Sequence, residues 1–209
     1  MVWFAAAVML AVGFNAGAAL VDSISTTEAL TASGDWLADG FTVAWEITPN
    51  GDGTWHYSYV FTKSDGSPLT KDVSHFIIQV SENFTSDDIS TGQEPEYYGP
   101  SPSNPGIPGS LWGVKVDSGG NSFSFDSPRA PMWGDFYAKD GQASTGGIKN
   151  YVYNSDFGEA VANANDYNAP HAIDPDQNSL YKILVPDTIP EPATMVLLGL
   201  GSILLRKRK

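Results

Sequence analysis

Apolar and polar residues alternate with a period of two through residues 41–62, with Phe41, Val43, Trp45 and Ile47 interleaved with Thr42, Ala44, Glu46 and Thr48. The alternation breaks at Pro49-Asn50-Gly51-Asp52-Gly53 and resumes as Trp55, Tyr57, Tyr59 and Phe61. Period-two patterning on both sides of an Asn-Gly/Asp-Gly turn predicts a β-hairpin with one aromatic face. Further strands are predicted at residues 73–81, 111–117, 122–125, 132–138, 148–153 and 180–185, separated by clusters of Gly, Pro, Asp and Ser. Helical periodicity is confined to one short stretch, 157–165. Many short strands with so little helix predict an all-β fold, an antiparallel β-sandwich or jelly roll.

One segment interrupts the rhythm of short turns. Residues 85–110 contain Pro95, Pro100, Pro102, Pro105 and Pro108 together with Glu94, Glu96, Tyr97 and Tyr98. A loop of this length in a small domain is uncommon and is usually functional or disordered. Its prolines and paired aromatics predict packing across the sandwich as a structural cover, with a binding role as the alternative. Five of the six tryptophans, Trp36, Trp45, Trp55, Trp112 and Trp133, fall mostly at strand spacing. Each buries about 150–250 Å², so core is their default place. Tyr97, Tyr98 and Trp112, in or beside the proline-rich loop, are the candidates for stacking on a sugar ring.

The two ends have a different texture from the middle. Residues 2–14 form an apolar run followed by Ala16-Gly17-Ala18, the small residues that signal peptidase requires, with cleavage expected after Ala18 or Ala19. No Lys or Arg precedes the run, which leaves the initiator amine as its positive charge. The alternative, a retained membrane helix over residues 2–20, is weakened by Asn15 and the glycines. At the other end Ile189-Pro190-Glu191-Pro192-Ala193-Thr194 precedes an apolar stretch from Met195 to Leu205 and then Arg206-Lys207-Arg208-Lys209. A helix over 193–205 would cover about 20 Å of a hydrocarbon core near 30 Å thick, which makes a poor permanent anchor. The four terminal cations favour keeping that end in the cytoplasm, with the domain outside. Pro190 and Pro192 disfavour helix just before it and leave an extended, accessible segment.

Pro-Glu-Pro, a short apolar helix containing Gly199 and Gly201, and a basic terminus together resemble the PEP-CTERM sorting signal of Gram-negative bacteria, over residues 189–209. The resemblance implies recognition of Pro190, Glu191 and Pro192 by exosortase, a membrane-embedded cysteine protease or transpeptidase. It also implies co-production with extracellular polysaccharide. A plain C-terminal membrane anchor is the competing reading. The chain thus divides into a signal peptide (1–18), a β-sandwich domain (19–188) and a sorting signal (189–209).

Charge narrows the partners. The chain carries a net charge of −13. The leader has no ionisable side chain, and the tail holds four of the 11 basic residues and one of the 24 acidic ones, leaving 7 basic against 23 acidic and a net charge of −16 for the mature domain. Nucleic acid and anionic membrane are therefore unsuited partners, since phosphate binding needs clustered Lys and Arg. The chain has no cysteine, so disulfides cannot hold an exported fold together and its core must do so, with a bound ion as an eventual helper.

Chemistry is sparse. His56, His75 and His171 lack the spacing of a helical metal site, there is no cysteine nucleophile, and no Gly-x-Ser-x-Gly elbow occurs. Glu46 and Asp135 are candidates for a pair of hydrolytic carboxylates, which would have to converge within roughly 5–9 Å across a cleft. Oxygen-rich turns at 50–53, 154–156 and 174–178 suit calcium in chemistry but not in EF-hand spacing, and solvated turn residues are the simpler reading. Arg129, in Ser127-Pro128-Arg129-Ala130-Pro131, is expected to pair with an acidic neighbour. The reading that results is an exported, non-enzymatic surface or extracellular-matrix protein without a cofactor. Its partners would be signal peptidase, an exosortase-type protease and exopolysaccharide. A carbohydrate-binding module and a secreted hydrolase are the alternatives.

Overall fold

A chain that alternates apolar and polar side chains can satisfy core and solvent together only when extended, and strands account for most of the ordered backbone. The structure, a computed structural model, describes residues 18–143, 147–161, 164–167, 172–174 and 177–188. Its strands are β1 (Leu20–Ser25), β2 (Leu30–Ala32), β3 (Thr42–Pro49), β4 (Trp55–Thr62), β5 (Val73–Gln79), β6 (Glu96–Tyr98), β7 (Leu111–Gly120), β8 (Ser122–Ser127), β9 (Ala130–Gly134), β10 (Phe136–Ala143), β11 (Lys149–Asn154), β12 (Ala172–Asp174), β13 (Gln177–Leu180) and β14 (Ile183–Thr188). A single helical turn, α1 (Asp35–Ala38), buries Trp36, and a 3-10 turn spans Ser86–Asp88.

Two antiparallel sheets make a β-sandwich, as the alternation predicts. One has the order β1-β3-β4-β8 and the other β2-β11-β10-β5-β7-β6. The predicted hairpin forms in the expected register, with Trp45 opposite Tyr59 and Ile47 opposite Tyr57. Val43, Trp45, Ile47, Tyr57, Tyr59, Phe61, Phe123 and Phe125 of the first sheet meet Phe76, Ile78, Val114, Val116, Phe136, Ala138 and Val152 of the second in one apolar cluster. Ring contacts bridge the layers, Tyr59 to Phe76 at 5.0 Å and Phe61 to Phe76 at 5.1 Å. The buried tyrosine hydroxyls find acceptors, as polar groups removed from water must. Tyr57 donates to the carbonyl of Arg129 and Tyr59 to that of Leu184. The Leu184 carbonyl lies in β14 and the Arg129 carbonyl just ahead of β9, the two strands of a separate ribbon that contributes Trp133, Ile183, Leu184 and Val185 to the same core.

Several expected elements differ in detail, each for a physical reason. The strand expected at 132–138 divides at Asp135, because β9 pairs with β14 while β10 joins the six-stranded sheet. The backbone turns there against Gln79, whose Oε1 accepts the Asp135 N–H at 2.9 Å. The strand expected at 180–185 divides into β13 and β14 at Tyr181 and Lys182. The helical stretch at 157–165 is not a helix in its described part: residues 155–158 form a turn, with Phe157 packed edge-on to Tyr153. β1 and β2 escape the sequence pattern because β1 is an edge strand burying only Ile24 and β2 spans just three residues.

The proline-rich segment is a cover, and it also contains a strand. Pro95 and Pro100 bracket β6, which forms the edge of the six-stranded sheet against β7, a place where missing N–H groups are tolerated. The chain then crosses the outer face of that sheet. Ile107 and Tyr98 pack with Ile77, Leu111 and Tyr137 in a second apolar cluster, and Tyr137 donates to the carbonyl of Pro105 at 2.8 Å. The six-stranded sheet is therefore covered on both faces, which is why four successive residues of β5, His75 to Ile78, are buried.

Candidate functional site

Strand geometry separates the aromatic residues singled out for sugar stacking. Neighbouring residues on a strand face opposite sides of the sheet. Tyr98 lies under the proline-rich cover, 8% exposed. Its buried hydroxyl has a pKa raised by burial and by neighbouring Glu96. Tyr98 cannot belong to an open platform, which corrects its grouping with Tyr97 and Trp112. Those two do come together: Tyr97 is 65% exposed and its ring centre lies 4.7 Å from that of Trp112, its partner across the β6–β7 register. Trp112 is half-buried and anchored by Nε1 donating to the carbonyl of Ser81 at 3.0 Å. Of the other tryptophans, Trp36, Trp45 and Trp133 are core residues, and Trp55 is half-buried against Tyr167.

The histidines are dispersed. His56 is half-exposed on the hairpin's polar face, with Nδ1 2.7 Å from Asp126. His75 lies on the outer face of β5 beside Asn104, and burial, reinforced by Lys139 and Lys115, pushes its pKa down to about 4. His171 lies outside the described residues. Among the described residues no group of three or more His, Cys, Asp or Glu is placed to hold a metal ion. Asn50 and Asp52 serve the hairpin turn, with the Thr54 N–H donating to Asp52.

The structure does not bring Glu46 and Asp135 together. Glu46 is exposed on the outer face of β3, whereas Asp135 is 3% exposed at the β9–β10 junction. Arg129 has the acidic partner expected of it, Asp88, at 2.9 Å, and also donates to Asn83 and lies over the ring of Phe84. The guanidinium holds the Asp88 carboxyl below the ordinary carboxylate range.

Asp135 is instead the centre of a buried polar cluster. Lys182 donates through Nζ to Asp135 Oδ1 at 2.5 Å and to the Asp156 carbonyl at 2.7 Å. Asn154 donates through Nδ2 to the same Asp135 oxygen at 2.6 Å and accepts the Phe136 N–H at 3.0 Å. The Gly158 N–H completes the shell on Asp135 Oδ2 at 2.9 Å. Lys182 is 1% exposed and Asn154 0%. Sequence reasoning missed this site, although a lysine set between Tyr181 and Ile183-Leu184-Val185 signals a cation carried into the core, which needs a carboxylate partner.

Ala18 is exposed just ahead of β1, while Ala16 and the sorting residues Pro190, Glu191, Pro192, Arg206, Lys207, Arg208 and Lys209 lie outside the described residues. Among the described residues no helix is long and apolar enough to cross a membrane. Residues 188–209 match the family model of the PEP-CTERM protein-sorting motif. The chain carries a PEP-CTERM sorting motif. The PEP-CTERM motif implies export, transient membrane anchoring and processing by exosortase, a membrane protein. The match stops at the tail, and no other family model matches the central domain. No curated protein and no solved structure matches the chain significantly.

Proposed function

We propose that the protein is a non-enzymatic component of the cell surface or extracellular matrix of a Gram-negative bacterium, released by an exosortase-type system and associated with exopolysaccharide. The observation that carries this reading is the PEP-CTERM motif itself, whose match begins at residue 188, the last residue of β14. Supporting it, the two carboxylates singled out for hydrolysis stand apart, and the acidic mature domain suits a solvated, extracellular life. A second reading, a carbohydrate-binding module, is favoured by the exposed Tyr97 ring against Trp112, since aromatic faces at a sheet edge can stack on sugar rings.

The test compares the native protein in its host with a variant carrying Pro190→Ala, Glu191→Ala and Pro192→Ala, by intact mass and by fractionation. Wild type that has lost its C-terminal mass and is recovered outside with the polysaccharide fraction, beside a variant stalled in the membrane, is the expected result. Wild type that keeps its tail and stays in the membrane like the variant would reduce the tail to a plain anchor. Release from polysaccharide on Tyr97→Ala alone would favour the binding-module reading.

A further inference from the structure

The Lys182–Asp135–Asn154 cluster has the parts of a reaction as well as those of an ion pair. We propose that Lys182 and Asn154 become joined by an intramolecular isopeptide bond, formed by the folded protein itself with Asp135 as the proton carrier. Lys182 Nζ and Asn154 Nδ2 donate to one oxygen of Asp135, so the attacking nitrogen and the leaving nitrogen are held side by side on a single base. The Asn154 carbonyl oxygen already accepts the Phe136 N–H at 3.0 Å, a fixed donor aimed where negative charge develops during attack. The Asp156 carbonyl and the Gly158 N–H orient amine and carboxylate from the far side. All three side chains are at most 3% exposed, so bulk water does not compete with the amine for the amide carbon.

The step balances without a co-reactant. The Lys182 ammonium passes one proton to Asp135 and frees its lone pair, which attacks Cγ of Asn154 while the carbonyl pair moves onto Oδ1. As the intermediate collapses, the Cγ–Nδ2 bond breaks and Asp135 gives its proton to the departing nitrogen. Asp135 then takes the surplus proton from Nζ. One C–N bond forms, one breaks, ammonia leaves, and nothing is oxidised or reduced. The driving force follows from burial: an ion pair removed from water carries a desolvation cost of several kcal/mol per ion, whereas amide and protonated carboxyl carry no charge. Holding the groups in contact supplies the effective concentration that an amine–amide reaction lacks in solution.

The bond would do what the missing cysteines cannot. It ties the end of β11 to the residue preceding β14, the strand that runs into the sorting motif. A pull on that end of the molecule could peel β14 but would meet the covalent tie at Lys182 before it reached β13 or the strands that precede it.

The test is tandem mass spectrometry of the full chain after denaturation and digestion with trypsin together with a glutamate-specific protease, since no Lys or Arg separates Asn154 from Lys182 and cleavage after Glu159 is needed to part the two arms. The expected result is one branched peptide joining Asn154 to Lys182, lighter than its two arms by one ammonia, with complete loss of tryptic cleavage after Lys182. Cleavage after Lys182 with an unmodified Asn154 overturns the proposal, whatever the fate of the tail. A branch lighter by one water and located on Asp135 overturns Asn154 as the acyl donor. Asp135→Asn is expected to leave the peptides linear, and a branch formed in that variant removes the role given to Asp135. Because the wild-type peptide map decides whether the bond exists, a variant that fails to fold does not shield the proposal.

Discussion

His75 illustrates how one residue can make the fold sensitive to acid. It is 6% exposed, on the outer face of β5 with Asn104 of the proline-rich cover, and its pKa is pushed down to about 4, chiefly by burial and then by Lys139 and Lys115, with Asp117 opposing. A histidine in the unfolded chain titrates near 6.5. Between these values the unfolded state binds the extra proton, so stability rises with pH there and is lost as pH falls from about 6.5 towards 4. The loss attributable to His75 is at most about 3 kcal/mol. Denaturant midpoints measured across that window should flatten in His75→Gln, and an unchanged slope would mean that other groups carry the acid sensitivity. In sequence His75 reads as one histidine among three. Its burial depends on a loop more than 25 residues away, which no local pattern reveals.

At the scale of the element, the proline-rich segment is held by close fit as much as by apolar area. Gly106 has φ near +74°, and a Cβ placed there would lie 2.1 Å from Cζ of Tyr151. Gly106→Ala combines a backbone penalty of about 1–2 kcal/mol with displacement of that ring. We expect a loss of about 2–4 kcal/mol and faster proteolysis within residues 99–110, without collapse of the main sandwich core. An alanine variant that melts and resists protease like wild type would show that the cover is not clamped at this point. The sequence marks this segment as unusual through its prolines, and its role as a cover follows from stiffness. The short β6 within it does not follow, because three residues between prolines carry too little periodicity, and their strand state is decided by β7 alongside.

For the whole molecule, the decisive arrangement is that β14 completes the core. Ile183, Leu184 and Val185 are 0–2% exposed, and truncating a buried aliphatic side chain costs about 2–5 kcal/mol, so losing all three approaches the total stability of a typical domain. A chain ending at Thr188 should therefore unfold cooperatively with heat like the full chain, whereas one ending at Leu180 should lack a cooperative transition by circular dichroism. Cooperative melting of the shorter chain would contradict the role given to β14. Processing that preserves the fold must then cut beyond Thr188, where the match to the sorting motif begins.

What the sequence determined by itself was local and periodic: the hairpin at 41–62, most strands of the two sheets, the all-β class, and the sorting tail, whose signal is a contiguous run of residues. Alternation specifies which face of a strand is buried, and turn residues specify where it stops, so both survive without tertiary context. Only the tertiary structure decided which strands share a sheet, that residues 132–138 divide between two, and that Tyr97 and Tyr98 part company. It also decided that Asp135, Asn154 and Lys182 meet. Those outcomes depend on partners distant in sequence, and a buried lysine acquires its meaning only when the fold brings a carboxylate and an amide to it across three separate segments.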